Sequence, residues 1–249
     1  MRFGPTLCYS CPTCSKVFVI SSITSCYNRI EDIYSDGSVK TLGPYRENKR
    51  ISKCEQCNTI FWINKLKETS FPKLEPPDFS ELRHKTIMDI KTGTYINEEI
   101  DIAWLNWTRE KKKMEPVSLK FLNIDDYWRA LQEGIPTNNE EEAYIRIKIW
   151  RAQNERIRNF KTITKNYFKS DNRWSENINS LIKILDNTKD EQNIMIAELY
   201  RNLGEFDLCK KTLEKINQPK MQRLKEFLLQ QCELKYRWVI STKNALIIN

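Results

Sequence analysis

The sequence predicts an α+β fold in which a small β-rich region precedes a larger α-helical region. Two observations support this prediction: six of the eight cysteines fall within the first 57 residues among short β-rich segments, and apolar residues recur with a helical period after residue 120. The 249-residue chain has 40% hydrophobic and 30% charged residues but only 6 Gly and 9 Pro, a balance typical of a helix-rich protein. We therefore predict three parts: residues 1–65, a proline-rich linker and mixed adapter segment at 66–119, and a helical domain at 120–249.

Two pairs of cysteines with the spacing C-x2-C lie in the first part. Cys11 and Cys14 form a first hook, and Cys54 and Cys57 form a second hook that is separated from the first by 39 residues. Two such hooks supply four thiolates in the tetrahedral arrangement of closed, structural zinc sites. The sequence therefore predicts one structural Zn²⁺ per chain. Because four thiolates leave no open coordination position, we expect no catalysis at this metal.

A β-rich segment follows each hook, at residues 17–20 and 59–63. Between the hooks, Asp36 and Gly37 predict the tight turn of a hairpin. Over residues 8–65 the hooks and their strands resemble the zinc-ribbon family. That family includes nucleic-acid binders and purely structural modules, so the resemblance implies a metal and a fold but no substrate.

Two details of the hooks leave alternatives open. Asn58, directly after the second hook, tolerates the left-handed backbone that such turns need, whereas Ser15 after the first hook is less suited to it. Cys8 extends the first hook to C-x2-C-x2-C and is an alternative ligand. Otherwise we expect Cys8 and Cys26 to be small buried hydrophobic residues.

Helical periodicity defines the last part of the chain. A first helix is expected to end before Gly134 and Pro136, and Thr137 and Glu140 have the spacing of a capping box at the start of the next. The apolar residues of the predicted helices are Ile124, Tyr127, Trp128 and Leu131; Ala143, Ile147, Trp150 and Ile157; Trp174, Ile178, Leu181 and Leu185; and Met221, Leu224, Leu228 and Cys232.

A helical pair lies between the last two of these stripes. The pattern predicts a helix that ends near Leu203, a tight turn at Gly204 and a second helix that packs through the small Cys209. It resembles the tetratricopeptide repeat, although Asn193 stands where that family has tryptophan. One repeat cannot bury both of its faces, so we expect it to stack on the helices before and after it. The whole layout resembles uncharacterised bacterial proteins that join a zinc ribbon to such helices, which implies no established activity.

The net charge of +8 is concentrated near the start, where residues 1–65 have a surplus of four positive charges. Much of it comes from Arg46, Lys49, Arg50 and Lys53. A basic patch of this kind favours a polyanionic partner, because lysine and arginine release counterions from phosphates. A diffuse surplus also serves solubility. We keep the four residues as candidate nucleic-acid contacts.

The motifs of common enzymes are missing from the sequence. It has no Gly-rich phosphate loop, no G-x-S-x-G elbow and no His-x-x-x-His motif, and the single histidine, His84, is expected at the surface. Arg146, Asn154 and Arg158 would line a pocket near Trp150 or form a solvated helix face. We expect a non-enzymatic, zinc-binding scaffold or protein-interaction module, with nucleic-acid binding as the alternative.

The sequence also bears on location. Its apolar runs fall well short of the ~20 residues that a membrane crossing needs, and the N-terminus lacks the apolar core of a signal peptide. We therefore expect a cytoplasmic protein with no membrane partner.

Overall fold

The computed structural model describes residues 2–25, 29–42, 50–70, 74–76, 87–88, 95–96, 98–117, 119–159 and 172–243. In these ranges antiparallel strands precede seven α-helices, which confirms the predicted α+β class. The strands are β1 (Arg2–Ser10), β2 (Val17–Ser25), β3 (Arg29–Ile33), β4 (Val39–Leu42), β5 (Ile51–Lys53), β6 (Ile60–Trp62), β7 (Glu68–Thr69), β8 (Ile87–Met88) and β9 (Tyr95–Ile96). The helices are α1 (Glu98–Met114), α2 (Ile124–Gln132), α3 (Asn139–Asn159), α4 (Asn172–Ile184), α5 (Asp190–Leu203), α6 (Phe206–Glu214) and α7 (Gln222–Glu233).

The strands pair in four small antiparallel groups within the described ranges. One sheet has the order β2-β1-β7, and β3–β4, β5–β6 and β8–β9 are two-stranded. Cys8 lies in the middle of the larger sheet, opposite Val19 on one side and Thr69 on the other. The turn predicted at Asp36 and Gly37 is present between β3 and β4, with Gly37 at a φ of 71°.

The described residues divide into two compact units. The cysteine unit comprises those of Met1–Ser25 and Lys49–Phe121, and the helical unit comprises those of Cys26–Asn48 and Leu122–Asn249. The β3–β4 hairpin belongs to the helical unit, and the described residues of 66–119 belong to the cysteine unit. The backbone N–H of Ser35 donates to the carbonyl of Ile240 at 2.8 Å, and that of Thr242 donates to the carbonyl of Ile33 at 2.7 Å.

The helical unit has two apolar clusters. One surrounds Trp150 and Trp174, and the other joins α5, α6 and α7 around Ala197 and Leu213. The predicted helix–turn–helix is present: α5 ends at Leu203 and α6 begins at Phe206. Gly204 caps α5 in the left-handed conformation, with a φ of 88°.

Helix α3 differs from its prediction in two ways. Its cap is one residue later than expected, since the side chain of Asn138 accepts from the backbone N–H of Glu141 at 2.9 Å. Ile145 and Ile149, outside the predicted apolar stripe, are fully buried. Because α3 packs against both α2 and α4, two of its faces are covered and one stripe cannot describe it.

The helices differ widely in burial. On α1, Trp104 is half exposed and contacts Trp107 with ring centroids 4.9 Å apart.

In the part of the chain that the structure describes, none of the helices combines the length and the apolar character that a membrane span requires.

Candidate metal centre

The four cysteines of the predicted hooks lie together. The Sγ atoms of Cys11, Cys14, Cys54 and Cys57 are all within 4.8 Å of one another. Cys11 and Cys57 approach to 3.6 Å, as do Cys14 and Cys54, so each short contact joins one hook to the other. Cys8 is buried in β1 and is not part of this cluster. The alternative in which Cys8 replaces a ligand is therefore not favoured, and Cys26 lies outside the described residues.

Each hook is a tight turn at the end of a β-hairpin. In the first, the N–H of Cys11 donates to the carbonyl of Lys16 at 2.9 Å, and the N–H of Ser15 donates to the carbonyl of Cys11 at 3.0 Å. The second hook repeats both bonds at the same lengths from Cys54 and Asn58. Ser15 and Asn58 have φ values of 58° and 57°, so the residue after each hook has the left-handed backbone conformation. The sequence suggested this conformation at Asn58 more than at Ser15.

A pair of aromatic rings lies beneath the thiols. Phe18 on β2 and Phe61 on β6 stack with centroids 5.4 Å apart and are 1% and 6% exposed. Both belong to the apolar cluster that contains Cys11 and Cys54. Each phenylalanine comes four residues after the second cysteine of its hook. This repeated spacing is a sequence signal that could have predicted the stacked aromatic pair.

The four thiols have different electrostatic surroundings. Burial raises the pKa of Cys11 to about 12, against the opposing effect of hydrogen bonds from the backbone of Cys14 and Thr13. In contrast, hydrogen bonds from the hydroxyl and the backbone N–H of Thr59 lower the pKa of Cys57 to about 6. The Thr59 hydroxyl oxygen lies 3.2 Å from Cys57 Sγ. A cation held by all four sulfurs would favour the thiolate at each of them.

The predicted basic residues are only partly described. Arg50 directly precedes β5, with its guanidinium carbon 5.9 Å from the centroid of the Trp62 ring. Lys53 is the last residue of β5, next to the second hook, and forms an isolated antiparallel β-bridge with Lys120. Arg46 and Lys49 lie outside the described residues.

Two of the three polar residues predicted near Trp150 contact the β3–β4 turn, whereas Arg146 pairs with Glu142 on the same helix at 2.7 Å. Asn154 donates to Asp36 at 2.9 Å, and Arg158 pairs with the same carboxylate at 3.2 Å. Trp150 is fully buried and donates its indole N–H to Asn202 at 2.8 Å. A cavity of about 180 Å³ beside the turn has a mostly apolar lining that includes Trp150, Ile194, Met195 and Leu224, and Asp36 also lines it.

A buried ion pair lies behind this turn and was not anticipated. Glu198 and Arg201 are both fully buried and pair at 2.6 Å, and the hydroxyl of Ser35 donates to Glu198 at 2.6 Å. Burial raises the pKa of Glu198, and the positive charge of Arg201 opposes that rise. Glu198 and Arg201 are three residues apart on one helix, a spacing that is also common for ion pairs on exposed helix faces, so the sequence did not indicate that this pair is buried. Ser35 is 163 positions away from Glu198, so no local sequence pattern predicted the hydrogen bond between them.

Comparison with protein-family models, with curated proteins and with solved structures gave no match to this chain.

Proposed function

We propose that the chain is a non-enzymatic scaffold with two parts: a zinc ribbon held by one structural Zn²⁺, and a tetratricopeptide-like helical surface that binds a protein partner. The observation that carries the proposal is the convergence of four thiols from two hooks that are far apart in the sequence.

The distances suit zinc. A tetrahedral ion with Zn–S bonds of about 2.3 Å places its sulfurs about 3.8 Å apart. The two cross-hook contacts are 3.6 Å, and the remaining Sγ separations are at most 4.8 Å. Thiolates also select soft or borderline ions over Mg²⁺ and Ca²⁺. Four sulfurs fill the coordination sphere, so we assign the metal a structural role.

The helical unit supports the binding role. Helices α5 and α6 are joined by a tight turn at Gly204 and contact each other, and they also pack against α4 and α7. Helical repeats that stack in this way present extended surfaces to other proteins. The resemblance to the tetratricopeptide pattern favours a peptide or protein as partner.

Metal analysis tests the zinc proposal. We expect close to one equivalent of zinc in the purified chain and a loss of most of it in the Cys57→Ser variant. Cys8→Ser is the matched control, because Cys8 is also in the cysteine unit but outside the cluster. A Cys57→Ser protein with full zinc and an unchanged melting curve would show that the ligand assignment is wrong.

An oligonucleotide titration at 150 mM salt separates the scaffold from a nucleic-acid binder. For a scaffold we expect only the ~10⁻⁴–10⁻⁶ M affinity of non-specific electrostatic contact. A nanomolar complex that is lost when the four basic residues Arg46, Lys49, Arg50 and Lys53 are neutralised together would instead make nucleic-acid binding the better proposal. In that case the dependence of affinity on salt concentration should also become less steep, because each lost phosphate contact removes about one released counterion.

A further inference from the structure

The helical unit contains a second group of cysteines that the metal centre does not use. Cys209 on α6 and Cys232 on α7 are 0% and 2% exposed and belong to one apolar cluster with Ala197 and Leu228. They are 23 positions apart in the sequence, yet their Sγ atoms are 3.0 Å apart.

This separation differs from that of metal ligands. Two sulfurs on one tetrahedral zinc would lie about 3.8 Å apart, and the cross-hook thiols are 3.6 Å apart. Among the described residues no third cysteine, histidine or carboxylate forms a metal-binding group with Cys209 and Cys232. A disulfide bond measures about 2.0 Å, so the two sulfurs are about 1 Å further apart than in a closed bond.

We propose that Cys209 and Cys232 are a redox pair that forms a reversible disulfide between α6 and α7. The oxidant is a low-molecular-weight disulfide such as oxidised glutathione. The Cys232 thiolate attacks one of its sulfurs, a mixed disulfide forms and one glutathione leaves. Cys209 then attacks the Cys232 sulfur and releases the second glutathione. The protein loses two hydrogen atoms, and the oxidant becomes two thiols.

The surroundings favour Cys232 as the attacking sulfur. The hydrogen bond between the two thiols lowers the pKa of Cys232 against the opposing effect of burial, and the positive charge of Arg201 adds to the lowering. The same hydrogen bond and burial raise the pKa of Cys209, which therefore holds its proton until the second step. Because both sulfurs are buried, a glutathione molecule reaches them only when α7 opens locally from α6.

The test uses the full chain, loaded with zinc, in glutathione buffers that range from fully reduced to fully oxidised. Each sample is held until its thiol content is constant, then alkylated and digested without reduction. We expect a peptide pair joined through Cys209 and Cys232 in the oxidised samples, with two hydrogen atoms fewer than the reduced pair. The melting temperature of the oxidised helical unit should rise by about 5 °C or more, since the cross-link restricts the unfolded chain.

The variants keep this test specific. Cys209→Ala must abolish the cross-link, and Cys8→Ala, which removes another buried cysteine, must leave it unchanged. The proposal is overturned if Cys209 and Cys232 are both alkylated after equilibration in oxidised buffer, or if a mixed disulfide with glutathione accumulates on either of them. Alkylation and the mixed disulfide can both be measured on the chain without substitutions, so a variant that fails to fold does not affect the result.

Discussion

The two cysteine sites of this protein are built in opposite ways. In the metal centre, turns within single hairpins fix each pair of thiols, and Cys14 and Cys57 remain partly exposed. In the helical unit, Cys209 and Cys232 meet only because α6 and α7 pack together, and both are buried. The difference teaches that local turns can fix the thiols of each hook, whereas the second thiol pair exists only where two helices pack together. We therefore expect the cysteine unit to depend on a bound ion and the pair of Cys209 and Cys232 to depend on helix packing.

Removal of the metal should separate the two sites most clearly. Structural zinc contributes on the order of 10 kcal/mol to small modules of this kind. We expect a strong chelator to abolish hydrogen-exchange protection in β1, β2, β5 and β6 while the protection of α5 and α6 in the helical unit is retained. Simultaneous loss of protection in α5 and α6 would contradict the view that only the cysteine unit depends on the ion.

Loss of the buried ion pair should have the next largest effect, and only in the helical unit. Arg201→Met leaves Glu198 buried without its partner, which costs about 3–5 kcal/mol. The control is Lys220→Met, which breaks the exposed pair with Glu191 at 3.1 Å and should cost less than about 1 kcal/mol. Urea unfolding measures both, and zinc content should be unchanged in each. Equal costs for the two variants would contradict this assignment.

The same contrast explains what the sequence could predict. The hooks, the turn at Gly37 and the turn at Gly204 are local patterns, and all are present in the structure. Hydrogen bonds between distant positions were not predictable: Asp36 contacts Asn154 across 118 positions, so the predicted hairpin was placed with the cysteines and not with the helices. Cys209 was expected to be a small packing residue, and its neighbour Cys232 becomes evident only when α6 and α7 meet.

Gly204 offers a smaller test that concerns the backbone alone. Its φ of 88° is in the left-handed region, and an added Cβ would have no atom within 4 Å. The cost of Gly204→Val is therefore backbone strain, about 1 kcal/mol or slightly more. Thermal unfolding should show a lower melting temperature for the helical unit and unchanged zinc content. An unchanged melting temperature would contradict the left-handed cap between α5 and α6.

The smallest effect compares the two hooks with each other. Ser15 and Asn58 occupy matching exposed positions with nearly the same φ, but asparagine adopts the left-handed conformation more readily than serine. Ser15→Asn should therefore stabilise the cysteine unit by about 0.5 kcal/mol, and Asn58→Ser should destabilise it by a similar amount. Melting curves at a fixed excess of zinc measure both changes. If both substitutions shifted the melting temperature in the same direction, the two turns would not be equivalent, and the hooks would differ in more than the residue that follows each of them.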